Sequence, residues 1–178
     1  MFSIGDKVVY PMQGAGIIEK IESQHILGED RDYFVLKSPY SDMKIMIPVK
    51  TCMQTGVRAI ISAEEVDAVV EVLKGPSTKM NSNWNRRYRE NMDRLKTGDA
   101  EEVAGVVRNL VRIERVKSLS AGEKKLLTNA LRILASEFVM VLGIEPAAAE
   151  KLSELAETAQ AAVRNVLLAS PALSERSP

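Results

Sequence analysis

Two periodicities divide the chain. Over roughly the first sixty residues, apolar positions fall in short, partly alternating runs at 7–10, 17–22, 32–37 and 43–48. These runs are rich in β-branched and aromatic residues and are separated by turn formers, which predicts an antiparallel meander of short strands. Gly14 and Gly16 read as bulge or tight-turn positions, and residues 27–30 supply a second turn. Pro48 has no N–H for a ladder, so the last strand ends there or runs along an edge. Several short strands in so few residues predict a small, strongly bent barrel.

From Ser62 the period changes to that of a helix. Ser62 with Glu65 is a capping box, followed by Val66, Val69, Val70 and Leu73 on one face. Gly75-Pro76 closes this helix. A second helix is predicted from near Ser82 through Lys96, with Gly98 as its stop. Asp99 with Glu102 opens a third, carrying Val103, Val106, Val107 and Leu110. Ser120 with Glu123 opens a fourth, carrying Leu127, Leu131, Leu134 and Phe138, with Gly143 at its end. Pro146 opens a fifth, with Leu152, Leu155, Val163 and Val166. The predicted fold class is α+β in two domains: a β-barrel over 1–60 and an all-α bundle over 61–178. A polar, Pro-flanked tail is expected to be frayed from about residue 170.

Composition narrows the function. Lys+Arg and Asp+Glu both number 24, but this neutrality hides an asymmetry. Residues 74–125 carry thirteen basic against seven acidic side chains, whereas 1–73 carry seven against eleven. A basic middle segment in a neutral chain suits a local anionic partner. No apolar run approaches a membrane span, no secretory leader is visible, and the single cysteine excludes an intramolecular disulfide. A cytoplasmic protein is therefore expected. Catalytic machinery is not apparent: His25 is the only histidine, Cys52 reads as a small buried hydrophobe, and neither a P-loop nor a dinucleotide fingerprint occurs. No catalytic residue, metal or cofactor is expected.

The stretch Asn81-Ser82-Asn83-Trp84-Asn85-Arg86-Arg87-Tyr88-Arg89 holds the only tryptophan among polar and basic neighbours. Arginines fix a protein on phosphates, and a large apolar ring beside them can wedge between base steps. The other reading makes Trp84, Tyr88, Met92 and Leu95 one buried stripe at helical spacing. The local pattern leaves both open.

Five strings in register resemble the CarD/CdnL family of bacterial transcription regulators. They are Gly5-Asp6-Lys7-Val8-Val9-Tyr10-Pro11 with Gly14-Ala15-Gly16, Ile45-Met46-Ile47-Pro48, Gly56-Val57-Arg58, Trp84-Asn85-Arg86-Arg87-Tyr88, and Leu119-Ser120-Ala121-Gly122-Glu123-Lys124. The resemblance implies a Tudor-like β domain that docks on the lobe (protrusion) of the RNA polymerase β subunit. It also implies a helical domain that reaches promoter DNA near the −10 element, with Trp84 wedged into the minor groove at the upstream edge of the bubble. Arg86, Arg87, Arg89 and Lys124 match basic positions expected on phosphates. Val35, Met46 and Pro48 are implied on the polymerase face, although Val35 reads equally well as barrel core. Some relatives carry arginine where this chain has Gln24 or Met46, so an apolar contact is expected here. The implied protein is a monomer without membrane or small-molecule substrate. An alternative from another class is an adaptor that links polymerase to a second protein without touching DNA.

Overall fold

A computed structural model describes residues 2–39 and 41–143, without the side chains of 41–43. The predicted fifth helix and the tail lie outside the described residues. Five strands form one antiparallel sheet: β1 (Lys7–Tyr10), β2 (Gly14–Ile26), β3 (Glu29–Ser38), β4 (Ser41–Pro48) and β5 (Arg58–Ala59). Their order is β4-β3-β2-β1-β5, so β4 and β5 are the edges. Pro48 ends β4 on such an edge, where its missing N–H leaves no central ladder bond unmade.

Two details depart from the predicted meander. β2 and β3 run on to a two-residue turn at Leu27-Gly28, where both φ values are positive, giving a longer hairpin than expected. The bulge falls at Glu19, between the pairs Ile18↔Leu36 and Lys20↔Val35, and not at Gly14 or Gly16. Gly14 instead takes a φ of 93° where β2 begins. A Cβ there would lie 2.6 Å from Ser136 Oγ, so glycine is what lets a helix approach this turn. The short strand β5 has no signal of its own, because two residues are too few to show a period.

The helices follow their caps. They are α1 (Ala63–Lys74), α2 (Trp84–Lys96), α3 (Ala100–Val116) and α4 (Ala121–Leu142). Ser62 and Ser120 form full capping boxes, Asp99 caps α3 through Glu102 N, and Gly143 closes α4 in the left-handed conformation. Two cores result. Val8, Ile18, Phe34, Leu36 and Ile47 fill the inner face of the sheet, closed by Cys52 and Val57. The helical core gathers Val66, Val70, Leu95, Val103, Val107, Leu110, Leu127 and Phe138 around α3 and α4.

Helix α4 also rests on the sheet. Ser136 Oγ accepts from Ala15 N at 2.8 Å, and Lys7 Nζ donates to Met140 O at 2.9 Å. Val9, Ala15 and Met140 pack together in the same contact. Part of the basic middle segment is structural: Arg108 donates to Val72 O (3.0 Å) and Arg112 to Gly75 O (2.7 Å). Both place a cation at the carbonyl end of α1, where the helix dipole favours it.

Candidate functional site

The polar residues around Trp84 make a helix start. Asn83 Oδ1 accepts from Asn85 N (3.0 Å) and Arg86 N (3.2 Å), and Asn81 Oδ1 accepts from Asn83 N (3.0 Å). Two asparagines thus satisfy the N–H groups that a helix leaves open. Trp84 becomes the first residue of α2, ahead of any neighbour a turn earlier that could cover it. It is 52% exposed, while Leu95 at the other end of the proposed stripe is fully buried. The face of α2 that enters the core runs through Arg87, Asn91 and Leu95, with Tyr88 and Met92 partly buried beside it. The buried-stripe reading of Trp84 therefore fails at its first member.

Arg87 corrects an expectation. It is 4% exposed and engaged inside the protein. Its Nε and Nη2 lie 2.7 and 2.6 Å from Glu123 Oε1, and Nη1 donates to Asn81 O at 3.1 Å. A guanidinium spent in this way is not available to a phosphate. Glu123 divides its two oxygens: Oε1 takes Arg87, and Oε2 accepts from Ser120 N (3.1 Å) and Ser120 Oγ (2.9 Å). Burial pushes the Glu123 carboxyl up, but the bonds from Arg87 and Ser120 outweigh it and hold the group below its ordinary value. Gly122 sits against the Tyr88 ring, where a Cβ would lie 3.5 Å from Cε2. The starts of α2 and α4 therefore come together, and with them two of the sequence strings.

Around this junction Arg86, Arg89 and Lys124 are exposed. Lys124 Nζ lies 3.5 Å from Glu114 Oε1, a loose surface pair that leaves it 55% exposed. The site thus comprises one exposed indole, three exposed cations and the positive ends of two helices.

The second group of expected residues lies on the outer face of the sheet. Val35 pairs with Met46, and Tyr33 with Pro48, so register places Val35, Met46 and Pro48 on one face. Met46 and Pro48 are partly exposed on the edge strand, and Gln24 Nε2 approaches Met46 Sδ at 3.4 Å. Val35 has no exposed surface; its cross-strand neighbours are Lys20 on one side and Met46 on the other. Val35 therefore offers no exposed surface for a direct contact and stands beside Met46 as its cross-strand neighbour.

Sequence reasoning passed over Glu137 and the role of Arg58. Glu137 is wholly buried in α4, and both its oxygens face Arg58 of β5, at 2.6 and 2.9 Å. The available signal was an acid at a core position, between Leu134 and Phe138, which requires a buried partner.

Comparison with known proteins identifies the family. Residues 2–61 match the CarD-like/TRCF RID domain, and residues 68–154 match the C-terminal domain of CarD. Over 144 residues the chain is 39% identical to YdeB of Bacillus subtilis (strain 168), a protein designated as a candidate transcription factor; the match covers 81% of this chain and 94% of YdeB. The chain belongs to the CarD family. Both halves of the CarD architecture are present in this one chain, in the order sheet then helices.

Proposed function

We propose that this CarD-family protein is a bacterial transcription regulator that binds the RNA polymerase β subunit and stabilises the promoter open complex. In this reading the segment to about residue 60 docks on the β-subunit lobe through Met46, Pro48 and the open edge of β4. The helical segment from about residue 61 carries Trp84 to the minor groove at the upstream edge of the bubble. Arg86, Arg89 and Lys124 hold neighbouring phosphates, aided by the positive ends of α2 and α4.

The observation that carries the reading is the exposed indole on a helix start that is rigidly held. A tryptophan half open to water, on a helix whose start is joined to α4 by a buried ion pair, supports this reading because its ring is open to a partner outside the molecule. Inserting it between base steps costs on the order of a few kcal/mol of unstacking per step. That cost is smaller on DNA already distorted for melting, so binding favours the open form over the closed one and shifts the population. The test is open-complex lifetime on a ribosomal RNA promoter with wild-type protein and Trp84→Ala. Equal lifetimes with both, and retained polymerase binding, would favour an adaptor that never touches DNA.

A further inference from the structure

We infer that Arg58 and Glu137 are positioning residues that fix where Trp84 stands relative to the polymerase-docking sheet. The inference rests on the reading of Trp84 as the DNA-facing ring and adds how that ring is aimed. Arg58 belongs to the edge strand β5, where its Nη1 donates to Ala59 O (2.9 Å), yet its other side-chain bonds reach the helical segment. Its Nη1 and Nη2 donate to the two oxygens of Glu137 (2.6 and 2.9 Å), and its Nε donates to Gly98 O (2.8 Å). Gly98 ends the turn after α2, with a φ of 72°, and a Cβ there would lie 3.0 Å from Pro11 Cγ. One guanidinium of the sheet thus holds both α4 and the far end of the helix that starts with Trp84. Glu137 Oε1 also accepts from Ile61 N (2.9 Å), which fixes the chain just before α1.

The other end of α2 is fastened to the same helix α4 through Arg87 and Glu123. Glu123 and Glu137 are fourteen residues apart, so their Cα atoms are separated by about 21 Å and project within about 40° of each other around α4. Helix α4 is then a rule with a carboxylate near each end. One carboxylate holds the start of the tryptophan helix, and the other holds the sheet. The other bonds between α4 and the sheet, from Ala15 N to Ser136 Oγ and from Lys7 Nζ to Met140 O, are single contacts, whereas a two-oxygen arginine fork accepts one geometry. A DNA wedge tethered to polymerase at a second point needs that single geometry, because the sheet and the ring must reach their partners together.

The test uses the full chain with spin labels at Lys50→Cys on the sheet side and Asp93→Cys on α2, both exposed positions; Cys52 is buried. The variants are Glu137→Gln, which keeps the size of the side chain, and Arg58→Lys, which leaves Glu137 a cation but cannot fork and reach Gly98 O together. We expect Glu137→Gln to broaden the interlabel distance distribution while polymerase retention and duplex affinity stay at wild-type levels. Open-complex lifetime should fall about tenfold, within the penalty that a misplacement of about 1 Å imposes on a positioned group. Arg58→Lys should move both readouts in the same direction by less, and it serves if Glu137→Gln fails to fold. An unchanged distance distribution overturns the inference, as does a broadened one with an unchanged lifetime when Trp84→Ala does shorten that lifetime. If Trp84→Ala also leaves the lifetime unchanged, the DNA reading has failed, and a broadened distribution still supports the fastening.

Discussion

Arg87 and Glu123 form a buried pair in which one carboxylate oxygen takes two guanidinium N–H groups and the other serves a helix cap. The pair joins the tryptophan helix to the start of α4, and its arginine also grips the loop at Asn81. An arginine that looks like a DNA contact in the sequence therefore holds the start of α2 against α4 instead.

Removing one partner of this pair should be expensive. Glu123→Gln leaves Arg87 buried without a counter-charge, and we expect a loss of about 3–5 kcal/mol in chemical denaturation. The pair also gives a pH signature. The Glu123 carboxyl is held below its ordinary value of 4.5, so its contribution is fully present above that value and disappears as pH falls through the lower, folded-state value. The acid limb of the stability profile below pH 4.5 should be shallower in Glu123→Gln than in wild type. Parallel acid limbs would show that the carboxylate is not coupled to folding.

Trp84→Ala should leave the melting curve close to wild type, because the ring is half exposed at the first position of its helix. Leu95→Ala, on the buried end of the same helix, should cost about 2–5 kcal/mol. Loss of open-complex stabilisation by the first variant alone separates function from folding. Comparable destabilisation by both would return Trp84 to the core.

Free protein should bind duplex DNA weakly and without sequence preference. Arg86→Ala and Lys124→Ala should each lower the slope of log affinity against log salt by about one unit if each neutralises one phosphate. Arg87→Ala should behave differently, lowering thermal stability first, since its guanidinium is buried. Tight, salt-insensitive, sequence-selective binding by the free protein would contradict the mechanism.

On the sheet, Met46→Asp should abolish retention of the β-subunit lobe while the helical core stays folded, since a carboxylate at an apolar contact is costly unless paired. Val35→Asp should unfold the sheet region itself, because no part of Val35 reaches solvent. Retention of the lobe by folded Met46→Asp would exclude this face.

What the sequence alone determined was local. Each of the four α-helices begins where a side chain three residues or fewer away can satisfy its open N–H groups; Ser62, Asp99 and Ser120 cap as expected, and Asn83 caps α2 one residue after the expected start near Ser82. The four longer strands and the stop at Pro48 were legible for the same reason, because alternation and a missing donor act within one element. Tertiary structure decided which cations are free. Arg86 and Arg87 are adjacent and chemically identical, yet one faces water and the other meets a carboxylate 36 residues later. Arg58 meets its partner across 79 residues. A period of 3.6 tells which face a residue shares, but a charge on a buried face is resolved only by what the rest of the chain brings to it.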